Sequence, residues 1–193
     1  MEVFVTEGSL MDFEPQTLIS VEVAKKLSQT QSVPKMIGLV NKPISTELVG
    51  NVLVLEDLQD PGNVGTLLRS ALSFGYQSVV LTPNAVDFTN DKVVRSSQGA
   101  LFHLSILELD LETLIKKASK QGYTIVGSVV EGGQEIRNQK VGKHLLILGH
   151  EGQGLSPSAI LASDVLVRIP TAAFESLNVA IAGSILMYEL NES

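Results

Sequence analysis

The chain has no cysteine and no tryptophan, only three histidines, and aromatic residues make up just 5% of it. Without cysteine there are no disulfides, no thiolate metal sites and no cysteine nucleophile. His103, His144 and His150 are too few and too scattered to suggest a structural zinc site. No apolar run reaches the roughly 18–20 residues that cross a bilayer. The first residues, MEVFVTEGSL, are acidic and lack the basic stretch that opens a signal peptide. A cytoplasmic location is expected. Basic residues are also in short supply: 14 Lys and Arg against 21 Asp and Glu leave a net charge of −7. An acidic chain is a poor general ligand for phosphate backbones, so any nucleic-acid site has to be a local basic stripe.

The hydrophobic content, 44% of 193 residues, suffices for one α/β domain with a sizeable core and a small appendage. Residues 1–46 differ from the rest. They hold short apolar runs at Val3–Val5 and Met36–Val40, an amphipathic stretch around Ile19–Leu27, and a Lys42-Pro43 linker. Two strands and a helix cannot close a core alone. From residue 47 onward, apolar strands alternate with helical spacing. Strands are expected at Val52–Leu55, Ser78–Leu81, Phe102–Leu107, Thr124–Val130, His144–Leu148 and Val165–Ile169. Helices are expected over Asn63–Phe74, Asp91–Ser97, Leu111–Gln121, Ser156–Leu161 and Asn178–Leu190. Such alternation predicts a parallel sheet covered on both faces, with ligands at the carboxyl ends of its strands.

Four segments carry candidate chemistry. In Leu55–Arg69 a strand runs through Asp60-Pro61-Gly62 into a helix, with Asn63 the expected N-cap. Arg69 lies in an otherwise apolar helix. A buried guanidinium needs a partner, and phosphate, Glu56 and Asp57 all qualify. In Asp91–Ala100, Lys92 and Arg95 share a helix face; they either hold a phosphate backbone or form an ordinary solvated face. In Leu146–Leu155 a strand ends in Gly149, Gly152 and Gly154, which allow close backbone approach. The spacing is neither a P-loop nor G-x-G-x-x-G. Glu151 would repel phosphate, so a cationic or hydroxylated ligand fits better. In Val167–Glu189 a strand leads to Ser176 or Asn178 as N-cap of a helix that is apolar nearly all round. That helix is either a monomer's core helix or a dimer contact.

In this order, Asn63/Gly65/Arg69, Gly149/Glu151/Gly154 and Ile169-Pro170…Ser176-Leu177-Asn178-Val179 resemble the SpoU (TrmH-like) family of the SPOUT superfamily, over about residues 50–190. The resemblance implies a parallel-sheet SPOUT fold with a C-terminal trefoil knot in residues 47–193. It implies S-adenosylmethionine as cofactor, no metal, and methyl transfer to a ribose 2′-hydroxyl of structured RNA, with ribosomal RNA the expected substrate. It carries catalytic roles to Asn63, Arg69, Glu151, Ser176 and Asn178. Cofactor contacts fall at Ser128, Val129, Leu148, Gly149, Gly154, Ile169, Leu177 and Asn178. RNA contacts fall at Arg69, Lys92 and Arg95. Family members act as homodimers through helices that include the closing one. The loop Thr171–Glu175 departs from the family pattern: it lacks the usual small residue and is one residue short. Residues 1–46, with Val3-Phe4-Val5-Thr6-Glu7-Gly8, resemble the second half of an L30e-like RNA-binding domain. The competing functions are a non-catalytic RNA-binding dimer and a tRNA or base methyltransferase of the same superfamily.

Overall fold

The computed structural model describes residues 2–9, 16–28, 30–137, 141–172 and 176–191. It divides into two compact units, residues 1–42 and 43–193.

In the first unit, β1 (Glu2–Thr6) is the middle strand of three. It pairs parallel with β2 (Thr17–Ile19) and antiparallel with β3 (Met36–Leu39). The short helix α1 (Val21–Leu27) starts at Ser20, whose hydroxyl accepts from the Val23 N–H. The amphipathic stretch around Ile19–Leu27 is this helix, and β2, which ends at Ile19 just before the serine cap, is a third strand that the apolar runs did not mark.

The second unit is built in chain order from β4 (Asn51–Leu55), α2 (Pro61–Ser73), β5 (Tyr76–Leu81), α3 (Asp91–Ser96), β6 (Ser105–Glu108), α4 (Leu111–Lys120), β7 (Thr124–Ser128), β8 (Gln134–Glu135), β9 (His144–Leu148), α5 (Pro157–Ala162), β10 (Val165–Arg168) and α6 (Val179–Asn191). Its seven strands run parallel in the order β6-β5-β4-β9-β7-β10-β8. The central strands β4 and β9 are apolar on both faces, as a sheet covered by helices on each side requires. Leu53 registers with Leu146 and Leu55 with Leu148, so the exits of the two strands lie side by side. The loops after β4, β7, β9 and β10 all open at the same carboxyl edge.

Three local expectations change. Asp60 is the N-cap of α2, not Asn63: its Oδ1 accepts from the Asn63 N–H at 2.8 Å, and Pro61 supplies a first helical residue with its φ already set. Asn63 thus sits one turn inside the helix with its amide free for other work. The strand expected at Phe102–Leu107 begins as a 3-10 turn over Ala100–His103 and becomes strand only at Ser105. Gln98 and Gly99 both take positive φ, at 50° and 86°, and Leu101 and Leu104 are buried three residues apart, the repeat of a 3-10 turn. Finally, β7 ends at Ser128 rather than Val130, and the two-residue strand β8 follows it.

Candidate active site

A cavity of about 410 Å³ opens at the carboxyl edge of the sheet. Its wall after β9 is the glycine loop. There the Gly154 N–H donates to the His150 carbonyl at 2.8 Å, and Gly154 takes a φ of +70°. A Cβ on Gly149 would overlap the Gly154 backbone. The loop can close on itself only because Gly149 has no side chain. Ser128 and Val129 line the cavity from the exit of β7, and Ile169 and Thr171 from the exit of β10. Ser176, Leu177, Val179 and Ala182 contribute from the approach to α6 and its first turn. Among the residues expected to hold a cofactor, Ser128, Val129, Leu148, Gly149, Gly154, Ile169 and Leu177 all line this space, with Asn178 next in the chain. Of the loop Thr171–Glu175, residues 173–175 lie outside the described residues.

Three side chains from distant segments join in one hydrogen-bonded chain beside the cavity. Asn178 caps α6: its Oδ1 accepts from the N–H groups of Ala180 at 2.9 Å and Ile181 at 3.3 Å. Its Nδ2 then donates to Asn63 Oδ1 at 3.1 Å. Asn63 Nδ2 in turn donates to Glu151 Oε1 at 3.3 Å. Because backbone N–H groups can only donate, they fix the polarity of Asn178, and each amide orients the next. Glu151 also accepts from the backbone N–H groups of Asp60 at 3.2 Å and Gln59 at 3.4 Å. Partial burial works to raise the Glu151 pKa, but these hydrogen bonds, with one from its own backbone, outweigh it and hold the carboxyl below its ordinary value. Glu151 is an ionised strut between the glycine loop and the start of α2.

Arg69 stands on α2 six residues beyond Asn63, about 9 Å along the helix axis. It is exposed, not buried as its apolar neighbours suggested, and among the described residues it makes no ion pair. Its two candidate acidic partners are engaged elsewhere. Glu56 is buried and accepts from the Ser156 hydroxyl at 2.6 Å and the Ser156 N–H at 3.0 Å. Asp57, strained at a φ of 56°, accepts from the Thr82 hydroxyl at 2.6 Å and from Asn84 Nδ2 at 3.3 Å. The guanidinium is left open to a ligand. Lys92 and Arg95 are also at the surface and already have partners: Lys92 Nζ lies 3.6 Å from Asp60, and Arg95 Nη1 lies 2.5 Å from Asp91. Hydrogen bonding from the Asn63 N–H, opposed by slight burial and reinforced by Lys92, holds Asp60 below its ordinary pKa.

Two residues named in the sequence take on other work in the structure. Glu56 ties the exit of β4 to Ser156, the N-cap of α5, just beyond the glycine loop. The signal for it was a carboxylate at a strand end together with a Ser-Pro helix start. Gly65 is a packing residue: a Cβ there would run into the Ser96 side chain on α3. No group of three or more His, Asp or Glu side chains among the described residues is placed to hold a metal ion.

This fold has known counterparts. A curated relative from Bacillus subtilis, the 23S rRNA (guanosine(2553)-2′-O)-methyltransferase RlmP, is 30% identical over 90% of this chain and 71% of its own. An uncharacterised tRNA/rRNA methyltransferase of Synechocystis is 38% identical over 89% of this chain, which spans 65% of that relative's length. Among solved structures, the SpoU methyltransferase AviRb from Streptomyces viridochromogenes, in complex with its cofactor AdoMet, superimposes with a TM-score of 0.79. It does so at 24% identity, over 99% of this chain and 81% of its own, and so speaks for the fold. The sequence pattern of the SpoU rRNA Methylase family matches residues 50–188, and the chain belongs to that family.

Proposed function

We propose that the chain transfers the methyl group of S-adenosylmethionine to a ribose 2′-hydroxyl of structured RNA, ribosomal RNA first among the candidates. The observation that carries this reading is the Glu151–Asn63–Asn178 chain at a glycine-walled cavity, with an unpaired arginine on the same helix as Asn63. The cavity suits the cofactor. Leu148, Ile169 and Leu177 offer an apolar surface to an adenine, and the loop at Gly149 and Gly154 brings backbone within reach of ribose hydroxyls. When bound, the cofactor supplies an electrophilic methyl group on a sulfonium.

The protein has to place the hydroxyl and help it lose its proton. Arg69 anchors the neighbouring phosphate through its planar fork, fixing the hydroxyl in line for attack. It also stabilises charge developing on the oxygen. Arginine keeps its proton in proteins, so these roles come before that of a base. Asn63, with its amide oriented by Asn178 and Glu151, directs the ribose, and Ser176 at the cavity wall adds a hydroxyl beside it. Lys92 and Arg95 extend the contact along the RNA backbone. Their present partners are exposed surface pairs, weak enough to exchange for phosphate.

The working unit is a homodimer through α6. One face of that helix packs inward through Gly183, Leu186 and Met187, while Ile181 and Tyr188, seven residues apart, remain 54% and 48% exposed. The insertion of β9 between β4 and β7 supports a trefoil knot in the C-terminal part of the chain. Residues 1–46 are read as a partial L30e-like RNA-binding segment, and the enzyme as a cytoplasmic one. Incubation with methyl-labelled S-adenosylmethionine and ribosomal RNA in a chelator should put label into the RNA. A chain that binds cofactor and RNA tightly yet transfers nothing would be a binding module instead.

A further inference from the structure

The cavity is one-sided in charge. Among the described residues that line it there is no Lys or Arg, and its acidic side chains are Glu131 and Glu151. His150, also in the lining, accepts the Gly152 N–H at Nδ1. The two carboxylates differ in what they are tied to. Glu151 accepts hydrogen bonds from Asn63 and two backbone donors. Glu131 is exposed and has no hydrogen-bond or ion-pair partner among the described residues.

Glu131 is nonetheless held in place. It sits in the turn between β7 and β8, and both ends of that turn are fastened to β10. The Val129 N–H donates to Val167 O at 2.9 Å, and the Ile136 N–H to Arg168 O at 3.0 Å. Arg168 adds a brace, donating from Nε to Gly133 O at 3.1 Å and pairing with Glu135 at 3.0 Å. Gly133 has no room for a side chain, since a Cβ there would press on Val129 and on the Leu166 carbonyl. The turn therefore presents an unpaired anion to the cavity from a fixed backbone.

Resting on the cofactor reading above, we propose that Glu131 is a selectivity residue that makes the cavity prefer the charged methyl donor over its demethylated product. S-adenosylmethionine carries a sulfonium and an ammonium against one carboxylate, hence one net positive charge. S-adenosylhomocysteine keeps the ammonium and the carboxylate but has a neutral thioether, hence no net charge. Shape and apolar surface are almost the same in the two, so binding by backbone and apolar contacts cannot separate them by much. A fixed negative field can, because it acts on the one charge by which they differ. The consequence is that spent cofactor leaves more readily than fresh cofactor, which limits product inhibition.

Calorimetry on wild type and Glu131→Gln, with each of the two ligands, tests this. Glu131 is exposed and has no partner among the described residues, so the variant is expected to fold; circular dichroism checks that it does. The variant should bind S-adenosylmethionine roughly three- to tenfold more weakly, as expected for one partly screened charge, with S-adenosylhomocysteine changed by less than about twofold. High salt should shrink the difference in wild type more than in the variant. Equal loss for both ligands, or no loss for either, overturns the proposal while leaving the cofactor reading intact. A wild type that binds neither ligand overturns both.

Discussion

The two ends of the same parallel sheet are built on opposite principles. At the amino ends of the strands, His144 and Tyr76 are almost wholly buried and satisfy each other: the Tyr76 hydroxyl donates to His144 Nε2 at 2.6 Å, while Nδ1–H donates to the Gly142 carbonyl at 2.8 Å. Asn51 takes the His144 N–H and Tyr123 donates to the Gly50 carbonyl. These polar groups are spent on the protein itself. At the carboxyl ends, the polar chain from Asn178 through Asn63 to Glu151 stands beside a cavity, and Arg69 is left unpaired. Groups saturated by the protein serve stability, whereas groups oriented by it but not saturated are available to a ligand. The two sets of residues should therefore respond to substitution in opposite ways.

The largest effect should come from the carboxyl end. Arg69→Ala should cut turnover by roughly a hundredfold or more, as expected for loss of a principal electrostatic group, with melting temperature and cofactor affinity unchanged. Arg69→Lys should not restore it, because a point charge does not reproduce the planar fork. Loss of folding in Arg69→Ala with normal turnover in the folded fraction would reverse the comparison.

Gly149→Val comes next. It forces a side chain into the Gly154 backbone, so the loop has to shift, at a strain of about 1–3 kcal/mol. Calorimetry should show cofactor binding weakened by roughly tenfold or more. Unaltered affinity would mean that the loop does not shape the cofactor site.

At the amino end, Tyr76→Phe leaves the buried His144 Nε2 without a donor and should cost about 1–3 kcal/mol in chemical denaturation, with turnover per folded molecule unchanged. The same pair predicts a pH dependence. Burial pushes the His144 pKa down, against a smaller upward effect of its Gly142 bond, from an ordinary value of 6.5. Burial pushes the Tyr76 hydroxyl up, so it stays protonated. A depressed histidine pKa means that the unfolded chain takes up the proton first. Stability is then undiminished above pH 6.5 and declines as the pH falls below it. The carboxylates held low, Glu151 and Asp60 among them, add their own losses only near and below their ordinary values of 4.5 and 3.8. A melting temperature flat from pH 7.5 to about 5 would contradict the buried neutral histidine.

The smallest effect belongs to Lys92→Ala. It gives up one exposed pair with Asp60 and should leave stability unchanged. RNA binding should weaken by a few fold, with the salt slope reduced by about one. An unchanged salt slope would remove Lys92 from the RNA path.

The alternation of apolar strands and helices was legible in the sequence because β4 and β9 are unbroken apolar runs and α2 is thirteen residues long and opens on Asp60-Pro61. The short strands β2 and β8, of three and two residues, carry no periodic signal of their own. Motif spacing singled out Asn63, Glu151 and Asn178, but not that they touch. They lie 88 and 115 residues apart in sequence, and only the β4–β9 register and the path into α6 bring them together. The exposure of Arg69 was misread because the apolar run around it hides which side of α2 faces the sheet. Val64, Gly65, Leu67, Leu68 and Ala71 form the buried face, and Arg69 falls outside it. The role of Glu56 was hidden for the same reason as the polar chain, since its partner Ser156 is 100 residues away.

The most direct test of the account is where the methyl group goes. RNA methylated by this chain with labelled S-adenosylmethionine should be digested to nucleosides, and the label located on sugar or base. Label is expected on the ribose 2′-oxygen, reduced roughly a hundredfold or more when Arg69 is replaced by alanine. Label on a base, or equal ribose labelling by wild type and the Arg69 variant, would contradict it.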